Sequence, residues 1–244
     1  MNEKKDLGDA YQFFLDCDYQ LKKNRNCSIP LLNKLIQLYI DAGRSETILC
    51  SNDICFRARI YNEKDKVERY INPPSGDFKG YDERNSFIPP AGKTYSEGRC
   101  NEKNEQILYV ANSEECCIHE INAPYNSYVS IAEIKMLSPL IIADMNQTSA
   151  MTNYDDSIVP GIIDSTMLVY LYNFFSRKSE NEMDYRLTQY ISKRIKQQGY
   201  DGISFFSSIY KGEKNVNYAI FNFEKCKAVN SRLVYIDEKG NLEE

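Results

Sequence analysis

Residues 54–61 read ICFRARIY, a run of strand-forming residues in which apolar and basic side chains partly alternate, so we predict a β-strand. Arg57 and Arg59 are two positions apart, and on a strand both side chains point to the same side. Two guanidinium groups on one side suit a pyrophosphate or carboxylate ligand. The alternative is an edge strand whose charged face is simply solvated. The sequence pattern alone favours this alternative over a ligand site.

Outward from this strand, helical and strand patterns follow one another irregularly. Residues 1–48 look helical, and the Pro- and Gly-rich stretch 72–95 predicts a long loop. The further predicted strands are Ile107–Ala111, Ser127–Lys135, Leu140–Asp144, Ile203–Phe206, Tyr218–Phe223 and Leu233–Ile236; the further predicted helices are a short one after Ser113, Ile162–Ser176 and Tyr185–Gln198. The strands are too scattered for a sandwich and too irregular for repeated βαβ units, which predicts an α+β fold.

Composition excludes several classes of function. The chain has 244 residues, of which 42% are hydrophobic and 27% charged, as in a globular protein. The net charge of −5 argues against broad binding of nucleic acid, which needs a basic surface. The first residues contain no apolar segment of the kind that directs export. The longest apolar stretch, 158–175, is interrupted by Pro160, Gly161 and Asp164. We therefore expect a cytoplasmic protein that does not span a membrane.

The single histidine and the eight cysteines restrict the chemistry further. A mechanism with two histidines is excluded, and a Ser-His-Asp or Cys-His site would have to use His119. We interpret His119 as structural. The cysteines form no C-x-x-C pair, so we expect no structural zinc ribbon and reduced thiols in the cytosol.

Two segments after the arginine strand carry polar groups that could bind a ligand. Gly98 and Asn101 lie in a segment that could present backbone N–H groups, with Arg99 between them. Tyr109 lies in an otherwise buried strand, and its ring could stack on a flat heterocycle. Glu120 follows an apolar helix face, where a carboxylate needs a partner. Taken singly, core packing for Tyr109 and a salt bridge for Glu120 remain the favoured alternatives.

A third segment, Tyr200–Ser208, reads YDGISFFSS and follows a predicted helix closed by Gly199. Ser207 and Ser208 stand where the predicted strand ends, and polar groups at strand ends often face a binding crevice. An ordinary turn is the alternative.

Together these residues resemble the RES-domain family, named for an arginine, a glutamate and a serine. The resemblance covers about residues 52–225, and its four motifs occur in the family's order. They are the FRAR strand; Pro89-Pro90 with Gly98-Arg99-x-Asn101, then LYVA and Glu120; Tyr185-x-x-Thr188-Gln189; and YDGI-x-FF-Ser207-Ser208 followed by Asn217 to Phe221.

The resemblance implies a split mixed β core with an NAD cleft, similar to ADP-ribosyltransferases. It also implies two parts of the chain, a helical segment at 1–48 and a RES domain at 49–244. Most members are toxins of toxin–antitoxin pairs and consume NAD by phosphorolysis or hydrolysis, so NAD is the expected substrate and inorganic phosphate a candidate co-substrate. A proteinaceous antitoxin covering the cleft is the expected partner. No cofactor and no metal ion are expected.

The resemblance also implies roles for single residues. Glu120 would stabilise an oxocarbenium-like transition state and bind the ribose 2′-hydroxyl. Arg57 would hold the pyrophosphate, helped by Arg59 or Arg99, and Tyr109 would orient the nicotinamide ribose. The remaining expected substrate-binding residues are Gly98, Asn101, Ser207 and Ser208. Which arginine of FRAR and which of the two serines is the family residue stays open; we choose Arg57 and Ser207.

Neutral nicotinamide leaves NAD without being protonated, so this chemistry needs no catalytic histidine. The acceptor of the ADP-ribosyl group could be phosphate, water or a protein side chain, and a mono-ADP-ribosyltransferase is therefore one alternative. A non-catalytic nucleotide-binding module is another.

Overall fold

Helices and strands alternate along the chain, as the irregular sequence pattern predicts. The computed structural model describes residues 3–41, 46–62, 64, 76–88, 96–146, 165–179 and 181–243. Residues 72–75 and 89–95 of the predicted loop 72–95, which include Pro89 and Pro90, lie outside these residues, as does the start of the predicted helix 162–176. None of the described helices is long and apolar enough to cross a membrane.

The described elements are as follows. The helices are α1 (Glu3–Lys23), α2 (Pro30–Asp41), α3 (Glu83–Phe87), α4 (Glu114–Glu120), α5 (Ser165–Ser176) and α6 (Arg186–Gln197). The strands are β1 (Glu46–Leu49), β2 (Ile54–Tyr61), β3 (Leu108–Ala111), β4 (Ser127–Met136), β5 (Leu140–Asp144), β6 (Gly202–Phe206), β7 (Val216–Ile220), β8 (Cys226–Ile236) and β9 (Leu242–Glu243).

Two units share these elements. Unit 1 comprises residues 1–47, 96–105 and 141–206, and unit 2 comprises residues 48–95, 106–140 and 207–244. In unit 1 the helices bury the apolar positions that recur every three or four residues, such as Leu187, Ile191 and Ile195 on α6. Strands β5 and β6 pair in parallel, with Ala143 opposite Ile203.

Unit 2 is an antiparallel sheet whose strands lie in the order β7-β3-β2-β4-β8-β9. Helix α4 packs on this sheet through Cys116, Cys117 and Ile118. Its buried neighbours come from four strands, β2, β3, β4 and β8: Ala58, Ala111, Val129, Ile131, Val234 and Ile236. Parallel and antiparallel pairs, together with the six helices of the described residues, confirm the predicted α+β fold, including the helices near the N-terminus.

Strand β8 is longer than predicted. The sequence indicated only Leu233–Ile236, whereas the strand begins at Cys226 and pairs with β4 along its length. The polar residues Asn230, Ser231 and Arg232 obscure the strand pattern in the sequence. The register with β4 also shifts in this stretch, because Glu133 lies opposite Asn230 and Ile134 opposite Ala228, which leaves Val229 of β8 as a bulge.

Candidate active site

Glu120 is the last residue of α4, a helix that starts at a Ser113 cap. The Ser113 hydroxyl accepts a hydrogen bond from the Cys116 backbone N–H at 3.1 Å. The C-terminal end of a helix carries partial negative charge, which disfavours an ionised carboxylate. Glu120 therefore needs hydrogen-bond donors from elsewhere in the fold.

Two side chains from the end of unit 2 supply those donors. The Ser207 hydroxyl donates to Glu120 Oε1, and the Asn217 amide Nδ2 donates to the same oxygen at 2.8 Å. Glu120 is half-buried. Among the described residues no donor reaches Oε2, so one carboxylate oxygen is held by the protein and the other is available to a ligand.

Ser207 is fully buried, and its surroundings fix the direction of its hydroxyl. The oxygen accepts hydrogen bonds from the backbone N–H groups of Ile209 at 3.1 Å and Tyr210 at 2.8 Å. With its lone pairs occupied in this way, the hydroxyl directs its proton to Glu120. Ser208 makes no side-chain hydrogen bond within the described part of the chain.

Arg57 lies on β2 and donates from Nη1 to the carbonyl oxygen of Tyr109 on β3 at 2.7 Å. Its Nε is buried and has no hydrogen-bond partner among the described residues, and none of their carboxylates lies within ion-pair distance. Burial, and to a smaller extent the charge of Arg59, lowers the pKa of Arg57 to about 9. The guanidinium is therefore still charged at neutral pH, and a bound anion would relieve the cost of burying it.

Arg59 points to the same side of β2, but its guanidinium group has a different hydrogen-bond partner. Its Nη1 donates to the carbonyl oxygen of Asn85 on α3 at 2.5 Å. Burial lowers the pKa of Arg59 as well, and the nearby Tyr81 opposes that effect.

The predicted ligand residues Gly98, Arg99 and Asn101 belong to unit 1, where each makes structural contacts. Arg99 donates to the carbonyl oxygens of Phe174 at 3.2 Å and Arg177 at 2.9 Å, at the C-terminal end of α5. Asn101 is buried and donates to the carbonyl oxygens of Ser96 and Glu102. That these three residues bind substrate stays a prediction.

Gln189 on α6 holds this segment in place. Its Nε2 donates to the carbonyl oxygens of Gly98 and Asn101, both at 2.9 Å. Arg186, one turn earlier, donates to Gln189 Oε1 at 3.1 Å and forms an ion pair with Glu97 at 2.6 Å. The Tyr185-x-x-Thr188-Gln189 motif thus fixes the backbone of the Gly98–Asn101 segment.

His119 is exposed, and its ring stacks on Tyr210 with the ring centroids 5.0 Å apart. This contact fits the structural role predicted for it. The described residues contain no cluster of three or more histidine, cysteine or carboxylate side chains placed to hold a metal ion.

Comparison with known proteins places the chain in a family. The sequence model of one protein family, the RES domain, matches residues 76–239, which is more than half of the chain. The chain belongs to the RES-domain family. This confirms the resemblance drawn from the four motifs. The RES match contains Tyr109, Glu120, Ser207 and Ser208, and it begins after β2, so Arg57 and Arg59 lie outside it.

One solved structure that resembles this RES protein is titled as the crystal structure of the M. tuberculosis MbcT-MbcA toxin-antitoxin complex. The two chains are 13% identical, and the similarity covers 82% of this chain and 92% of that chain with a TM-score of 0.43. No curated protein matches the sequence.

Sequence reasoning missed two residues of the RES site region. Asn217 was noted only as part of the fourth motif, although its amide contacts Glu120. Gln189 was noted only as part of the third, although it binds the Gly98–Asn101 segment. Both are amides buried in regular elements, and a buried amide needs partners. The only feature of the sequence that could have identified Asn217 and Gln189 was their position within the motifs.

Proposed function

We propose that this RES protein consumes NAD by cleaving the bond between nicotinamide and ribose. The observation that supports this most is the Glu120 carboxylate, which two donors fix through Oε1 while Oε2 has no donor among the described residues. Cleavage of this bond develops positive charge on the ribose, and an oriented carboxylate stabilises such a charge. Nicotinamide leaves as a neutral molecule, so the reaction requires no general acid.

In this proposal Glu120 Oε2 accepts a hydrogen bond from the ribose 2′-hydroxyl and faces the developing oxocarbenium ion. Arg57, charged and without a carboxylate partner among the described residues, binds the pyrophosphate. Ser207 keeps the carboxylate in one orientation, which reduces the reorganisation needed in the transition state. The acceptor that takes the ADP-ribosyl group is phosphate or water.

The family also supports a biological role. We propose that the chain is the toxin of a toxin–antitoxin pair, kept inactive by a protein that covers its NAD site. Because NAD is required throughout metabolism, an enzyme that destroys it has to be restrained in the cell that makes it.

Glu120→Gln tests the proposed reaction. The glutamine carbonyl can accept both hydrogen bonds from Ser207 and Asn217, so the fold should persist while the negative charge is lost. We expect nicotinamide release from NAD to fall by about 100-fold or more. The rate is measured by chromatography, with and without phosphate, and mass spectrometry of the second product distinguishes ADP-ribose, its 1″-phosphate and a modified protein.

Glu115→Gln is the matched control, since Glu115 is an exposed carboxylate on the same helix and should retain the wild-type rate. In cells, induction of the wild-type chain should lower NAD and stop growth, whereas Glu120→Gln should do neither. A folded wild-type protein that releases no nicotinamide under either condition would refute the proposal.

A further inference from the structure

Asn217 reaches Glu120 from strand β7, where its backbone lies opposite Ala111 of β3. The side chain is 7% exposed, so its amide has to find partners within the protein. Nδ2 donates to Glu120 Oε1 at 2.8 Å. On the other side of the amide, Oδ1 accepts from the thiol of Cys116, with 3.6 Å between sulfur and oxygen.

An asparagine amide has a donor side and an acceptor side, and only one of its two orientations fits here. Turned by 180°, Oδ1 would face a carboxylate oxygen and the two acceptors would repel each other. The Cys116 thiol favours the observed orientation because it donates to Oδ1. Burial, followed by the charge of Glu120, raises the pKa of the Cys116 thiol to about 12, so it remains a donor at neutral pH.

Helix α4 and strand β7 therefore share a continuous chain of hydrogen bonds. It runs from Cys116 Sγ through the Asn217 amide to Glu120 Oε1, and both ends belong to the same helix. Ser207 joins at the carboxylate, and the ammonium group of Lys211 donates to the Ser207 backbone carbonyl at 3.2 Å.

We propose that Asn217 is a positioning residue for Glu120, and that the Cys116 thiol selects the amide orientation that directs Nδ2 to the carboxylate. The catalytic consequence rests on the proposed NAD cleavage. The positioning of Glu120 by Asn217 does not depend on that reaction, and it can be measured without any turnover of substrate.

Asn217→Asp is the sharpest variant, because it keeps the shape and replaces the donor with an acceptor. We expect kcat at neutral pH to fall by about 10- to 100-fold, the size of a hydrogen bond to a charged group, with a smaller change in KM. The acidic limb of the pH–rate profile should move to higher pH, since a carboxylate that lacks a donor and faces another acid is protonated more readily. Asn217→Ala should show the same shift to a smaller extent.

The role of Cys116 is tested by a double-mutant cycle. A thiol is a weak donor, so Cys116→Ala should lower kcat about two- to fivefold, and Cys116→Ser, which keeps a donor, should stay near the wild-type rate. If the thiol acts through Asn217, the double variant with Asn217→Ala should be no slower than Asn217→Ala alone. Independent, multiplying losses would refute the role given to the thiol.

The titration of Glu120, followed by NMR with ¹³C-labelled glutamate, is the readout that does not depend on activity. Its signal is assigned by its absence in Glu120→Gln. The midpoint should rise in Asn217→Asp and stay unchanged in Asn230→Ala, a control on strand β8 of the same sheet. An unchanged titration together with unchanged kcat in Asn217→Asp would overturn the positioning role. A shifted titration in a chain that releases no nicotinamide would support the positioning role and refute the proposed function.

Discussion

At the scale of single residues, the two adjacent serines show what the fold adds to the sequence. The motif presents Ser207 and Ser208 as equivalent candidates. In the structure Ser207 is fully buried and donates to Glu120, whereas Ser208 is partly exposed. The difference arises from the turn after β6, where two backbone N–H groups converge on the Ser207 oxygen.

This difference predicts opposite outcomes for two alanine variants. Ser207→Ala removes a donor to Glu120, so nicotinamide release should fall by about tenfold or more. Ser208→Ala should keep the wild-type rate. Steady-state assays of both variants, with circular dichroism to confirm folding, make the comparison. A loss confined to Ser208→Ala would show that the roles of the two serines are reversed.

At the scale of helices and strands, Arg99 caps the C-terminal end of a helix by hydrogen bonding. Its guanidinium donates to two carbonyl oxygens at the C-terminal end of α5, which lack partners within the helix and carry partial negative charge. The ring of Phe205 lies 5.4 Å from the same group, close enough for a cation–π contact. These contacts stabilise unit 1 without any ligand.

Arg99→Gln should therefore lower the free energy of unfolding by about 1–3 kcal/mol, the cost of losing charged hydrogen bonds to partly buried carbonyl groups. Urea unfolding followed by the helical signal measures the change. Arg84→Gln, at an exposed arginine on α3, should leave the stability unchanged. If Arg99→Gln instead raises KM for NAD and leaves the stability unchanged, Arg99 binds the substrate as the resemblance implies.

The sequence was more informative about some elements than about others. Strand β2 was predicted with its observed bounds because it is a run of strand-forming residues in which apolar and basic side chains partly alternate. The first seven residues of β8 were missed because polar side chains interrupt the strand pattern there, although the backbone pairs with β4 and Ser231 forms an isolated bridge with Phe78. For the site, the motifs identified Glu120 but not Asn217, since the residues lie 97 positions apart and their contact depends on the register of β3 and β7.

At the scale of the whole molecule, the buried thiols should make the free energy of unfolding decrease at alkaline pH. Burial is the main cause that raises the pKa of Cys17, Cys55 and Cys116 from 9 to about 12, and it raises the pKa of Cys117 as well. Each folded thiol therefore keeps its proton at a pH where the unfolded chain has released it. The stabilisation is fully present below pH 9 and is lost progressively as the pH rises towards 12.

We expect the urea midpoint, measured in the presence of a reductant, to fall as the pH rises from 9 to about 11, above the ordinary thiol pKa of 9. The fall should be shallower in Cys55→Ala, which removes one of the buried thiols. A midpoint that does not change over this range would contradict the prediction that the thiols stay protonated in the folded state.

The order of the site residues along the chain has a consequence for synthesis. Glu120 leaves the ribosome long before Ser207 and Asn217, the two residues that orient its carboxylate. Strand β3 likewise cannot pair with β7 until β7 has been synthesised, because the two strands lie more than 100 residues apart in the sequence. A nascent chain therefore cannot assemble this hydrogen-bonded site until translation has passed Asn217, and a chain that stops before that residue should lack any activity that depends on the oriented carboxylate.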